Sequence, residues 1–214
     1  FFFQTEGLRF TSAANSAFIT GLCVILVPFI LWAGGGRLAR VHVLGAGVAV
    51  LGLFLLSGAD LSASGWGDAL TFACAVLFAC HIVCLGAFGR RMRTFGLFAL
   101  QLIAASALAA LAARTLGGSI RWSGAVLLAL GITWALATTL AFLLQTWAQR
   151  RLEPAQAALW LLTEPIFALG FGALLLGDRP GVPAMLGAGV ILAGLFISVA
   201  GGPLDLAEEN RAQA

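Results

Sequence analysis

Within the stretch LLTEPIFALGFGALLLGD, residues 161–178, Glu164 is a carboxylate set among apolar side chains with Pro165 directly behind it. It is the tenth residue of the apolar segment 155–176, which places it near mid-depth if that segment crosses a bilayer. A charged side chain at that depth costs about 2.5–3.5 kcal/mol on insertion scales, and such residues tend to face a bundle interior and mark a pathway or a proton relay. Pro165 lacks a backbone donor and clashes with the preceding turn, so the helix is expected to bend here. Two readings follow. Glu164 is a protonatable site at a kink, or it is a structural partner for backbone groups that the proline releases.

His81 sits at the thirteenth position of the segment 69–89, again near its middle. An imidazole titrates close to neutrality and can relay protons; a packing histidine is the reading placed first. Cys74 and Cys84 share its helical stripe, but ten residues of helix put them about 15 Å apart, too far for one metal ion. No metal or cofactor is expected. Gln145, Gln101, Asn15 and Gln156 are uncharged amides in or at the ends of apolar segments. Amides there can hold a polar substrate or join helices at about 0.6–2 kcal/mol each, and joining is favoured for any single one. Trp160 lies four residues before Glu164, on the same helical face, as a cavity wall or a core aromatic.

These residues need a scaffold, and composition names its class. The 214 residues are 61% hydrophobic and 10% charged, with a mean hydropathy of +1.02. Soluble domains carry about 25% charged residues, so the chain reads as an all-α polytopic membrane protein. The period-2 alternation of a membrane barrel is absent. A net charge of +3 from 12 scattered arginines, with no lysine, is too weak for a nucleic-acid surface. Cys23, Cys74, Cys80 and Cys84 all fall in apolar segments and read as packing residues.

Seven segments are long and apolar enough to span: 12–33, 41–57, 69–89, 95–113, 123–146, 155–176 and 184–200. The opening FFFQT reads as the tail of an eighth. With no initiator methionine and no signal-peptide layout, the start reads as a truncation. Residues 202–214 are polar and read as a disordered tail. Arginines at alternate segment ends divide eight (37, 40, 90, 91, 93, 150, 151, 211) against four (9, 114, 121, 179). The richer side is expected to be cytoplasmic, together with the C-terminus.

An internal repeat organises the chain. LGAGVAVLGLF (44–54) returns as LGAGVILAGLF (186–196), eight of eleven positions identical at an offset of 142. FFFQT is matched by FLLQT (142–146), so Gln145 has a retained partner in Gln4. Gly45, Gly52, Gly187 and Gly194 recur seven apart on one face and suit close helix packing. Completing the first copy gives ten helices in two five-helix halves, inverted because each half has an odd number of spans. About 7–8 of those ten are present here. At the repeat offset, Glu164 is matched by Leu22. The acid is therefore not demanded by the shared fold, which shifts the balance toward function. Asp68, at the start of a span, is expected to cap it.

The segments GLRFTSAANSAFITGL (7–22), GWGDALTFACAVLFACHIV (65–83) and AFLLQTWAQRRLEPAQAALWLLTEPIFALGFGALLLGD (141–178), followed by the LGAG helix, resemble the EamA family of the drug/metabolite transporter superfamily. The resemblance covers essentially the whole chain. Asp178 stands where the family usually shows glutamate after LLLG. The resemblance implies a multi-pass permease of the inner (plasma) membrane that moves a small metabolite or amino acid, often outward, by alternating access, with proton coupling an open option. It divides the chain into 1–58 (end of helix 3 with helices 4–5 of the first repeat), 66–201 (the second repeat) and the tail 202–214. A small-molecule substrate and the lipid bilayer are the expected partners, no nucleic acid is expected, and a homodimer is left open.

Rival readings are a non-transporting membrane scaffold or inactive fragment and an intramembrane enzyme. LLLGD faintly resembles intramembrane aspartyl proteases, but no second intramembrane aspartate accompanies it. No serine–histidine pair sits in a rhomboid-like glycine context either, and there is no His/Glu zinc spacing. The chain is therefore not expected to be an enzyme.

Overall fold

The computed structural model describes residues 2–36, 40–60, 65–116 and 122–200. The tail 202–214 and Arg37, Arg121 and Arg211 lie outside them. Every regular element among the described residues is helical: α1 (Phe2–Gly7), α2 (Ala13–Gly21), α3 (Cys23–Ala33), α4 (Arg40–Ser57), α5 (Trp66–Gly89), α6 (Thr94–Leu116), α7 (Gly124–Ile132), α8 (Ala141–Gln149), α9 (Pro154–Leu161), α10 (Glu164–Phe171) and α11 (Val182–Ala200). Two π-helical segments, Thr133–Leu140 and Gly172–Leu176, follow α7 and α10 without interruption.

Seven stretches are long and apolar enough to cross a membrane: Ala13–Ala33, Arg40–Ser57, Trp66–Gly89, Thr94–Arg114, Gly124–Gln149, Pro154–Leu176 and Val182–Ala200. They hold 18 to 26 residues, or about 27–39 Å of helix, which suits a hydrocarbon core of about 30 Å. Their outer faces are apolar. Trp134, Leu128, Ile103 and Leu174 all stand exposed, the inverse of a protein solvated by water. The chain is a multi-pass membrane protein.

Two compact units divide the chain: residues 1–83 with 153–214, and residues 84–152. In the first, the centre is the pair α4 and α11, the two helices that carry the repeated LGAG motif. Gly45 meets Gly194, and Gly52 meets Gly187. Positions rise along one helix as they fall along the other, so the pair is antiparallel. Each glycine faces the repeat copy of the other, which makes the contact locally two-fold. Two copies of one sequence packed head to tail are what an inverted repeat demands, and only glycine lets the backbones come this close. Ala49, Leu53 and Ile191 fill the seam from either side and are fully buried.

Helix α2 is capped by Ser12, whose hydroxyl accepts from the Asn15 amide at 3.0 Å. Asp68 does not cap α5. It sits within the first turn, after Trp66 and Gly67, and its carboxylate accepts a hydrogen bond from the Thr11 hydroxyl. The cause is the close approach of α1, where Gly7 and the 10–11 backbone lie against Gly67. That approach brings Thr11 to Asp68 and redirects the carboxylate away from its own helix end.

In the second unit, α6 packs beside α8. Gln101 Nε2 donates to Thr146 Oγ1 at 3.0 Å, while Thr146 Oγ1 donates to the Phe142 carbonyl at 2.6 Å. Arg150, just beyond α8, donates from Nε to the Gly89 carbonyl at 2.9 Å and from Nη1 to Thr94 Oγ1 at 2.8 Å.

Candidate functional site

The span Pro154–Leu176 is not one helix. Helix α9 stops at Leu161, and α10 starts at Glu164. Between them the backbone stays right-handed but tightens: the Leu162 amide bonds to the Leu159 carbonyl and the Thr163 amide to the Trp160 carbonyl, both at 3.1 Å. These are three-residue closures, the 3₁₀ pattern, which inside a long helix often marks a hinge. The Thr163 hydroxyl adds a bond to the Trp160 carbonyl at 2.7 Å. Pro165 falls at the first turn of α10, where its missing N–H costs least.

The same event occurs in the other repeat. Helix α2 ends at Gly21 and α3 begins at Cys23, with the Leu22 amide closing on the Ile19 carbonyl at 3.1 Å. Leu22 is the repeat counterpart of Glu164. The two breaks are neighbours in space: a Cβ on Gly21 would lie 3.2 Å from Leu162 Cδ2 and would collide with Leu53. Two discontinuous helices, one from each repeat copy, therefore meet at their breaks within the first unit.

Glu164 opens α10 at this meeting point. Its side chain is exposed, and it makes no hydrogen bond or ion pair among the described residues. Trp160 is also exposed, but the 3₁₀ turn separates it from Glu164, so the four-residue spacing no longer puts both on one continuous helical face. His81, on α5, is half-buried, with its ring stacked on Phe78 at 6.4 Å and 11°. Asn15 is committed to the backbone. Its Nδ2 donates to the Asp60 carbonyl, and its Oδ1 accepts from the Asp60 amide, each at 2.8 Å, fastening the chain just beyond α4 to the start of α2. Gln101 and Gln145 belong to the second unit. Gln101 holds Thr146, and Gln145 Nε2 donates to Gln149 Oε1 at 3.4 Å.

One polar group in the first unit was not singled out from the sequence. His42, on α4, is buried, with Nδ1 2.6 Å from Ser198 Oγ on α11 and Nε2 3.6 Å from Glu153 Oε2 at the start of α9. Ser198 is fully buried and Glu153 partly so. The only sequence cue was a histidine two residues into a span, near Arg40. Its partners lie far along the chain. The trio ties three elements together at the end of the α4–α11 seam, and Ser198 Oγ has no surface from which to attack a substrate. Among the described residues, no three His, Cys, Asp or Glu side chains gather closely enough to hold a metal ion.

Comparison with known proteins gives a context for this geometry. The family model described as "EamA-like transporter family" matches residues 65–200. A protein of Archaeoglobus fulgidus named "Uncharacterized transporter" is 32% identical over 196 residues, which is 91% of this chain and 63% of that protein. This chain thus spans less than two thirds of that relative's length. A solved structure titled "Crystal structure of protein" superposes with a TM-score of 0.79 at 21% identity, covering 93% of this chain and 71% of the other. At that identity it bears on the fold alone, and it agrees with the helical architecture described above.

Proposed function

Because the chain belongs to the EamA-like transporter family, we propose that it works in secondary transport, moving a small metabolite or amino acid outward across the cytoplasmic membrane by alternating access. The observation that carries this reading is the meeting of two repeat-related helix breaks, Gly21–Leu22 and Leu162–Thr163. In transporters built from inverted repeats, substrate and coupling ions bind near mid-depth, where discontinuous helices expose backbone groups. Glu164 is the single ionisable side chain at these breaks apart from the Cys23 thiol, and it is assigned the proton-coupling role.

The remaining candidates divide by their partners. Trp160 has side-chain surface to offer a substrate, and so does Gln145, whose hydrogen bond to Gln149 is long, while His81, stacked on Phe78, is a further candidate on α5. Asn15 and Gln101 are held by their own contacts and serve mainly to fasten helices. The repeat halves are 1–58 and 66–201. The arginine-rich ends of the spans face the cytoplasm, as does the C-terminus. The family points to transport rather than catalysis.

Reconstitution into proteoliposomes tests the reading. With an inward-acid pH gradient, a screen of amino acids and small metabolites is expected to reveal uptake or release that follows the gradient. In Glu164→Gln, the dependence on the gradient disappears while the protein still folds. Transport that ignores pH in the parent protein, with Glu164→Gln fully active, refutes the coupling role. Absence of flux for every solute favours a non-transporting membrane protein.

A further inference from the structure

Residues 84–152 contain no Asp or Glu at all, yet they carry seven arginines. Five of these, Arg90, Arg91, Arg93, Arg150 and Arg151, gather at one end of the unit, around the start of α6 and the end of α8. No carboxylate of the unit can neutralise them. At that same end lies a groove of about 550 Å³. Its charged mouth is Arg93 and Arg150, with Thr94 next to Arg93 in sequence and hydrogen-bonded to Arg150, and its walls are Phe95, Leu143, Leu144 and Trp147.

The mouth is organised in advance. Arg150 uses two of its five N–H donors on Gly89 and Thr94, which fixes the plane of the fork and leaves three donors for a ligand. The Arg93 carbonyl accepts from the Leu97 amide at 3.0 Å, while its side chain makes no hydrogen bond or ion pair among the described residues. Arg151 lies over the Trp147 ring, 4.4 Å from its centroid, and donates to the Trp147 carbonyl at 3.2 Å. That stacking pins the indole at the rim, where tryptophans mark the membrane–water boundary. The walls below are apolar and outward-facing, with Phe95 and Leu144 more than half exposed.

We propose that this groove binds an anionic phospholipid of the arginine-rich, cytoplasmic-side leaflet. The phosphodiester sits between Arg93 and Arg150, and the first part of an acyl chain lies along Leu143, Leu144 and Phe95. A planar guanidinium fork suits two phosphate oxygens, and basic pockets at the cytoplasmic ends of membrane helices recognise anionic headgroups. The apolar walls distinguish a lipid from a free phosphate ion, which has nothing to place there.

The test uses purified protein in a non-ionic detergent, read by native mass spectrometry and by thermal melting. Phosphatidylglycerol is expected to remain bound at one molecule per chain and to raise the melting temperature. Phosphatidylcholine and inorganic phosphate at equal concentration are expected to do neither. Arg93→Gln and Arg150→Gln should each weaken phosphatidylglycerol binding by about fivefold, whereas Arg114→Gln, at the other end of α6, should leave it unchanged. Arg150→Gln also removes the clamp on Gly89, so if that variant fails to fold, Arg93→Gln alone decides. Equal retention of phosphatidylcholine, an unchanged Arg93→Gln, or the same loss in Arg114→Gln overturns the site.

Discussion

The α4–α11 seam makes a prediction whose control is built into the same motif. An alanine at Gly52 would place its Cβ 2.6 Å from the Ile191 amide nitrogen and 2.7 Å from the Gly187 carbonyl oxygen. At Gly187 the distances are 2.5 Å to both the Gly52 carbonyl oxygen and the Leu56 amide nitrogen. Ordinary contact begins at 3.4 Å, so about 0.8 Å must be found at Gly52 and about 0.9 Å at Gly187. The obstructing atoms are backbone and cannot rotate away, so the helices themselves have to separate. Overpacking of this kind costs about 1–3 kcal/mol, partly offset by up to about 1 kcal/mol of helix propensity gained over glycine. Gly47 and Gly189 lie two residues after Gly45 and Gly187 in the repeated LGAG, and a Cβ on either meets nothing within 4 Å. Alanine there should be neutral or slightly stabilising. Thermal melts in detergent, followed by tryptophan fluorescence, should show Gly52→Ala and Gly187→Ala lowered by several degrees, at about 2–4 °C per kcal/mol. Gly47→Ala and Gly189→Ala should remain at or above the parent. The double variant Gly52→Ala with Gly187→Ala should lose less than the sum, because one separation relieves both methyl groups. If all four single variants behave alike, the close antiparallel packing is wrong.

Two further outcomes follow from the same unit. His42→Leu leaves Ser198 Oγ buried without its partner and removes the imidazole beside Glu153, so it should destabilise the protein by about 1–3 kcal/mol; thermal melting should place it below Ser198→Ala, which gives up the hydroxyl and one bond. Pro165→Ala should keep the helix break, because Leu22 breaks its own span with Cys23 rather than proline behind it; spin labels at positions 156 and 170 should report an unchanged separation, and lengthening by several ångströms would show that the proline alone makes the bend.

The spans were legible because each is a single long apolar run bounded by glycine, proline or arginine. The expected segment 95–113 became Thr94–Arg114, and 184–200 became Val182–Ala200. The segment 69–89 was extended to Trp66 because contact with α1 orders the first turn of α5. Polar partnerships were not legible, because they depend on which helices become neighbours. Asn15 offered an amide for a substrate or a helix, and its partner proved to be the Asp60 backbone. His42 and Ser198 are 156 residues apart and meet only because α4 and α11 pack antiparallel. The π-helical run Thr133–Leu140 has a composition like that of the α-helices around it, so nothing in the sequence marked it.

Pro165 explains a bend at Glu164 in isolation, but the second copy of the break has no proline. At Leu22 the chain makes the same 3₁₀ closure with neither acid nor proline, and Gly21 is the residue that permits it, leaving room for Leu53 and Leu162. The break is therefore a property of the repeated fold: two spans must turn aside where they pass one another. Pro165 adapts to a turn already present, at a position where its lost donor is cheapest. Glu164 has no such excuse. Leucine serves at the equivalent place in the other copy, and a carboxylate at this depth carries a penalty of about 2.5–3.5 kcal/mol. A residue that is costly, unsupported by hydrogen bonds and unnecessary to the turn it occupies needs a reason outside folding. The proton coupling proposed above would supply one: the neutral acid would escape the penalty where it faces lipid, and the charged form would be needed only when the site is open to water.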